Sequence, residues 1–242
     1  MRKIDIVMAT YNGEKYLREQ IQSIISQTNK EWNLLIRDDG STDKTLDIIE
    51  EFLKKDDRIK LIKDTKGNLG CIKNFEELLK ESKAKYIFLC DQDDIWREDK
   101  LDKCIKHLEK NQVIYHDAEV VFEQENRKIQ LFNFKKKENI LIKILKAKYA
   151  GCCMAFRREI LDIILPIPQK YPAHDIWIGI IGEWIGGVKY IDDKLMIYRR
   201  HGNNVSNLSE KSKNSLLKKI KFRYYYLFYP LWRILKWKTK KY

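Results

Sequence analysis

YIFLCDQDD, residues 86–94, runs five apolar or aromatic residues straight into a segment with three carboxylates, Asp91, Asp93 and Asp94. A short continuous apolar run that ends in polar residues is the pattern of a strand buried on both faces, as in an α/β sheet. Such sheets bind their ligands at the carboxyl edge, where the chain leaves the strand. Asp91 and Asp93, one residue apart in a loop, can turn toward one point and offer hard oxygen ligands to Mg²⁺ or Mn²⁺. A local reading competes with this one. Asp94 or Asp99 can cap a helix over residues 98–110, because carboxylates favour a helix's first turn.

Strand-like runs alternate with amphipathic ones on both sides of this stretch, the signature of βαβ units. Residues 4–10 read as a strand, followed by a helix with Leu17, Ile21, Ile24 and Ile25 on one face. Residues 34–37 read as a second strand, before a helix that turns Leu46, Ile49, Phe52 and Leu53 inward. A short strand over 59–62 and a helix over 72–81 with Phe75 and Leu79 complete the upstream half. Downstream, Leu101, Cys104, Ile105 and Leu108 share a helix face, and 113–122 read as a strand interrupted by His116 and Asp117. The expected architecture is α/β, a mixed, mostly parallel sheet flanked by helices. Between 123 and 148 the periodicity gives way to charge, with Lys135, Lys136 and Lys137 adjacent, so two lobes are expected, 1–130 and 131–210. The second should hold a helix over 175–185, a Gly186-Gly187 turn and a strand near 195–198.

With 242 residues and 44% hydrophobic composition, the chain can build a sizeable core. Its five cysteines, Cys71, Cys90, Cys104, Cys152 and Cys153, form no C-x-x-C pair, which suits a reducing compartment. The start, MRKIDIVMATYNG, is too short and interrupted in its apolar run for a signal peptide, and no run reaches the roughly 18 residues of a spanning helix. These readings predict a cytoplasmic protein. The net charge of +13 is unevenly placed: residues 211–242 hold 11 of the 48 basic residues and none of the 35 acidic ones. Nine aromatics, among them Tyr224, Tyr225, Phe228 and Trp232, interleave with those cations. Aromatics at headgroup depth beside cations facing anionic lipid suit a bilayer surface, so a peripheral tail on the inner face of the membrane is expected, and no nucleic-acid partner. The alternative is a helix packed on the body and bent at Pro230.

Polar loops follow three of the strands: Thr10-Tyr11-Asn12-Gly13, Asp38-Asp39-Gly40-Ser41 and the segment from Asp91 to Asp94. On a parallel sheet they share one edge, where Tyr11 can pack on a base, Asp39 can accept hydrogen bonds from a base or ribose, and a cation can take a diphosphate. Taken singly, Asn-Gly and Asp-Gly are ordinary turn formers. Neither G-x-x-x-x-G-K-[ST] nor G-x-G-x-x-G occurs, which removes support from a P-loop ATPase and from a dinucleotide oxidoreductase.

In this order VMATYNGEKYL (7–17), IRDDGSTD (36–43), GNLGCIKN (67–74), CDQDDIW (90–96), AHDIW (173–177) and YRRHGNNVS (198–206) resemble the family 2 nucleotide-sugar glycosyltransferases of GT-A, Rossmann-like fold. The wording is most similar to the bacterial branch that contains rhamnosyltransferases and related cell-surface polysaccharide enzymes. The resemblance implies that Thr10, Tyr11, Asn12 and Asp39 surround the nucleoside and that Asn68 and Lys73 complete the nucleotide pocket. It puts Asp91 and Asp93 on the Asp-x-Asp element beside the donor, with Asp93 as the direct ligand of a divalent cation, Mg²⁺ or Mn²⁺. Asp175 matches the general base, and His201 a histidine that closes over the metal or diphosphate, in one loop with Arg199, Arg200 and Asn203. The implied reaction is inverting transfer from a UDP- or dTDP-type nucleotide-sugar donor to a saccharide or lipid-linked acceptor. Ile176, where related sequences often carry an aromatic, and Cys152-Cys153, in place of a Cys-Thr-like pair, are departures that bear on the acceptor. Two other readings stand beside this one. A nucleotidyltransferase would need a basic Gly-rich loop, for which only Lys15 is present, and a non-catalytic nucleic-acid-binding module would use the tail alone.

Overall fold

The structure is a computed structural model that describes residues 2–125, 127–132, 139–169, 171–202, 204 and 216–239, with side chains of the last segment from 222 onward. Asn203, the run Lys135 to Lys137 and residues 205–215 lie outside the described residues. The N-terminal half comprises β1 (Ile4–Thr10), α1 (Leu17–Ile25), β2 (Trp32–Asp38), α2 (Thr45–Lys55), β3 (Ile59–Leu61), α3 (Cys71–Glu81) and β4 (Tyr86–Cys90). It is followed by β5 (Ile95–Trp96), α4 (Lys100–Leu108), β6 (Val113–Phe122), β7 (Arg127–Gln130) and α5 (Ile140–Lys146). The chain then forms β8 (Met154–Arg157), α6 (Leu161–Ile164), α7 (His174–Trp184), β9 (Val188–Arg200) and α8 (Leu216–Thr239).

The strands form one sheet in the order β3-β2-β1-β4-β8-β6-β9-β5, with β7 paired to β6. β3, β2, β1 and β4 are mutually parallel, and β6 runs parallel to β9. β8 is antiparallel to both β4 and β6, and the pairs β5–β9 and β6–β7 are also antiparallel. The sheet is therefore mixed, and the expectation of a mostly parallel one holds only for its first half. There each strand is reached through a helix that returns the chain to the same edge. β8 instead starts beside the end of β4, at a buried turn over Gly151–Cys153, and runs back along it.

Ile6, Val7 and Met8 of β1 and Ile87, Phe88 and Leu89 of β4 are fully buried, and α1 and α3 cover them with Ile21, Ile24, Phe75 and Leu78. Asp5, buried in β1, accepts hydrogen bonds from Ser82 Oγ at 2.9 Å and from the Lys83 and Ala84 amides at 2.8 Å. These bonds tie the start of β4 to β1 and hold the register in which Met8 lies opposite Cys90. Residues 123–148, read from sequence as the break between lobes, contain β7 and α5.

Two local expectations change. α4 begins at Lys100, its preceding Asp99 makes no side-chain cap, and Asp94 leads into β5 rather than into a helix. α8 lays one side on the body through Tyr226 and Ile234, each 8% exposed, and the buried Pro230. Arg233 Nε donates to the Ile163 carbonyl at 3.0 Å, and Tyr171 Oη to the Tyr225 carbonyl at 2.9 Å. Among the described residues no helix is long and apolar enough to cross a membrane.

Candidate active site

Thr10 and Asp38 lie opposite each other at the ends of β1 and β2, so the loops that follow adjoin. Thr10 Oγ1 donates to Asp38 Oδ1 at 2.8 Å, and Asp38 Oδ2 accepts from the Gly40 and Ser41 amides at 3.0 and 2.7 Å. Asn12 takes a left-handed conformation, φ 47°, and braces the second loop: its amide donates to Ser41 Oγ and its Oδ1 accepts from the Thr42 amide, both at 2.8 Å. Tyr11 is 49% exposed, yet its backbone is gripped by the Gln92 carboxamide, which accepts from its N–H at 2.9 Å and donates to its carbonyl at 3.0 Å. The result is an exposed aromatic face on a fixed backbone beside the acidic loop.

Asp39 is buried. Its Oδ1 accepts from Arg37 Nη1 at 2.9 Å and the Leu69 amide at 2.8 Å, and its Oδ2 from the Gly70 amide at 2.8 Å. A carboxylate has about four acceptor positions, so Asp39 anchors the 67–70 loop and retains one for a ligand. Arg37, which the sequence patterns did not single out, is the hub. It forms two bonds to Asp64, at 2.8 and 3.0 Å, and reaches the Gly67 carbonyl at 3.0 Å and Asn74 Oδ1 at 3.2 Å. Its guanidinium holds the Asp64 carboxyl down at about 2. Gly70, at φ 75°, then opens α3, leaving Asn68 and Lys73 exposed on either side of that bend.

β4 delivers the acids. Asp91 is pushed up to about 7, first by burial and then by Asp93 and Asp175. Asp94 is fully buried and pushed well above the usual carboxylate range by the same burial and by Asp93 and Asp91. Its Oδ1 accepts from the Arg199 amide at 3.2 Å, while Oδ2 has no hydrogen-bond partner among the described residues. Among the described residues, Asp91, Asp94 and Cys152 bring ligand atoms within 4.8 Å of one another. Mutually repelling carboxylates with an orphaned buried oxygen fit a hard divalent cation. Cys152 fits less well as a ligand, because sulfur is soft and a hydrogen bond with the free Cys153 thiol, then burial, keep its own thiol protonated. It hydrogen-bonds Asp91 instead and eases that carboxyl's rise.

Asp93, the ligand expected from the resemblance, has its Oδ2 3.0 Å from His201 Nε2 and 3.3 Å from Asn204 Nδ2. The His201 ring stacks on Tyr16 at 4.4 Å between centroids. Arg199 donates from Nε to the Asp93 carbonyl at 2.8 Å and lies over the same tyrosine ring. The segment leaving β9 is thereby bound to the acidic loop. Asp94, read from sequence as the start of a helix, belongs with Asp91 in the acidic cluster.

Asp175 is the second residue of α7, whose N-cap is Ala173. Its Oδ1 accepts from the Ile176 amide at 2.7 Å and its Oδ2 from the Gly151 amide at 3.2 Å. Burial pushes its carboxyl up to about 6 against the pull of these bonds. Gly151 is needed here, because a Cβ would lie 2.9 Å from His174 Nε2. His174 itself is buried, stacks on Phe75 at 4.1 Å and is held down at about 4 by burial, so it stays neutral. Two further groups belong to this site. Cys71, at the start of α3, is exposed on one side, yet the protein packed around its sulfur and then the charges of Asp91, Asp175 and Asp39 push its thiol up to about 12. Lys100, fully buried, donates to the Cys152 carbonyl at 2.8 Å and sits 3.6 Å from the Trp96 ring centroid. Its spacing from Cys104 and Leu108 puts a cation on the buried stripe of α4, a signal legible in the sequence.

Residues 5–165 match the sequence model of Glycosyl transferase family 2. The chain belongs to that family. This family 2 transferase is 32% identical over 232 residues to the dTDP-rhamnosyl transferase RfbG of Shigella flexneri, covering 90% of this chain and 80% of that protein. It is 24% identical over 208 residues to the putative teichuronic acid biosynthesis glycosyltransferase TuaG of Bacillus subtilis, covering 84% and 81%. Among solved structures it resembles S. aureus TarS 1-349 in complex with UDP, with a TM-score of 0.68, 22% identity and 82% of this chain covered. It spans 60% of that TarS chain. The mannosyltransferase PcManGT from Pyrobaculum calidifontis, in complex with GDP-Man and Mn²⁺, gives a TM-score of 0.62 at 15% identity, covering 98% of this chain and 73% of that one. At such identities these likenesses bear on the fold, which is GT-A-like. The family 2 transferase is accordingly an enzyme of glycosyl transfer, related to bacterial rhamnosyl- and other glycosyltransferases.

Proposed function

We propose that this protein is an inverting, metal-dependent glycosyltransferase that moves a sugar from a UDP- or dTDP-linked donor to a saccharide or lipid-linked acceptor in cell-surface polysaccharide synthesis. The observation that carries this reading is the meeting of two carboxylates from distant elements, Asp91 after β4 and Asp175 in α7, close enough for Asp175 to raise Asp91. The relatives support the donor class: one is a dTDP-rhamnosyl transferase and another binds UDP.

In this reading Tyr11 lies on the base, Thr10, Asn12 and Asp39 hold the loops around the nucleoside, and Asn68 and Lys73 face the nucleotide from the start of α3. Asp91, Asp93 and Asp94 hold Mg²⁺ or Mn²⁺, and His201, beside Asp93, closes over the diphosphate. When bound, the cation would stabilise negative charge on the departing nucleoside diphosphate, so one carboxylate base suffices where a glycosidase needs an acid and a base. Asp175 accepts the proton of the acceptor hydroxyl while that oxygen bonds to the anomeric carbon from the face opposite the leaving group. The anomeric bond to the diphosphate breaks in the same displacement, which inverts the configuration. Residues 1–130 serve the donor, 131–210 the acceptor, and the basic aromatic tail, 211–242, sits on the inner face of the membrane against anionic lipid.

The test is a screen of UDP- and dTDP-sugars for Mn²⁺-dependent donor consumption. Asp175→Asn and Asp93→Ala should each lower the rate at least about a hundredfold, the size of a general-base or cation contribution. Near-normal turnover by Asp175→Asn would sink the base assignment.

A further inference from the structure

Eleven large hydrophobic side chains are exposed among the described residues, and eight of them lie on just two helices, which separates a patch from the normal scatter of surface apolar groups. On α5 they are Ile140, Leu141, Ile142 and Leu145, between 37% and 46% exposed. On α8 they are Tyr224, Phe228, Trp232 and Leu235, between 50% and 63% exposed. The α8 set recurs every three or four residues and so forms one stripe along the helix. It is distinct from the Tyr226, Pro230 and Ile234 side that faces the body. α5 packs beside α8, with Ile144 turned into the core, so the two exposed sets lie on neighbouring helices.

We propose that α5 and α8 together form one docking face for an anionic lipid bilayer, with α5 as its second foot. The proposal rests on the membrane reading of the tail given above, and the role of α5 is new. Charge selects the occupant. Residues 139–148 carry Lys143, Lys146 and Lys148 and no acid, and residues 211–242 carry eleven basic residues and no acid. Lys143 turns inward, 3.9 Å from Glu183, whereas Lys148, Lys236 and Lys238 are exposed. Protein interfaces are depleted of lysine at their centres, whereas a bilayer surface takes tyrosine, tryptophan and lysine together. α5 also lies four residues before Gly151, whose amide holds Asp175. α5 and α8 both pack against α7, whose first turn holds Asp175, so a bilayer seated on them lies beside the helix that carries the base, which suits an acceptor carried on a lipid.

The experiment uses the full chain and co-sedimentation with vesicles of phosphatidylcholine alone or mixed with phosphatidylglycerol. Leu141→Ser with Ile142→Ser on α5, and Phe228→Ser with Trp232→Ser on α8, remove exposed groups outside the donor site, so circular dichroism and Mn²⁺-dependent donor consumption should stay unchanged. Each pair should weaken binding to the anionic vesicles about tenfold or more, as expected for losing two inserted apolar side chains. Loss by the α8 pair alone would overturn the role of α5 and leave the tail reading standing. Wild-type binding by both pairs would overturn both. Equal binding to neutral vesicles would overturn the anionic occupant. A switch from dimer to monomer in the α5 variant, with vesicle binding intact, would assign the face to a second copy of the chain. Donor consumption by the wild-type protein without vesicles tests the transferase reading independently.

Discussion

Asp175 binds its proton more tightly than a free carboxylate because α7 and the Gly151 turn take it out of water, and this sets a pH dependence. A general base must be ionised, so donor consumption should rise with pH through about 6, and a rate profile flat across that range would contradict the assignment. The same burial affects stability. Asp91 and Asp175 start from 3.8 and are raised to about 7 and about 6, so the folded protein holds these protons more tightly than the unfolded chain does. Their contribution is present below the unfolded value and is lost as pH rises through the folded ones. The melting temperature without divalent cation should fall over that window relative to Asp91→Asn, and the gain on adding Mn²⁺ should grow over it. Thermal melts at several pH values check both, and an identical pH dependence in Asp91→Asn would refute the first. Arg37→Ala leaves Asp39 with an uncompensated buried charge and should cost about 3–5 kcal/mol in urea unfolding. Asp39 was legible in the IRDDGSTD wording. Arg37 was not, since an arginine in a strand reads as exposed until its burial is known.

Among the elements, β8 depends least on local pattern. MAFR is four residues long and has no distinctive period, yet it fills the centre of the sheet antiparallel to both β4 and β6 and so makes the sheet mixed. The turn before it sets the position of Asp175. Gly151→Ala should displace the His174 ring, weaken the Gly151 amide's bond to Asp175 and lower donor consumption, with a stability loss of about 1–3 kcal/mol from overpacking. His174→Ala removes the clashing nitrogen, so the double variant should be more active than additivity predicts, as a mutant cycle would measure. The expected start of a helix at Asp94 failed for a related reason. The chain leaving the acidic loop first pairs Ile95 with Ile197 in β9, a contact that no local window contains.

Across the whole molecule α8 has two faces with different work. Tyr226 and Ile234 are buried against the body, and Tyr226 stacks on Tyr171 at 5.5 Å. Removing residues 211–242 should therefore lower the melting temperature as well as any vesicle binding, because it uncovers apolar surface of α6 and α7 at about 2–5 kcal/mol for each large side chain lost. A truncated chain that melts like the intact one would show that α8 does not pack on the body in solution. β1, β4 and β6 match their sequence readings residue for residue, at Ile4–Thr10, Tyr86–Cys90 and Val113–Phe122. Family membership was likewise readable from ordered motifs. Both rest on information held in contiguous residues: periodicity, turn chemistry and loop wording. The Asp93–His201 pair, the buried bonds of Arg37 to Asp64 and Asn74, and the joining of α5 to α8 emerged from folding alone. Each is a contact across a large sequence separation, as where Arg199 reaches back 106 positions to the Asp93 carbonyl, and burial and partner choice at that distance leave no periodic trace in the chain.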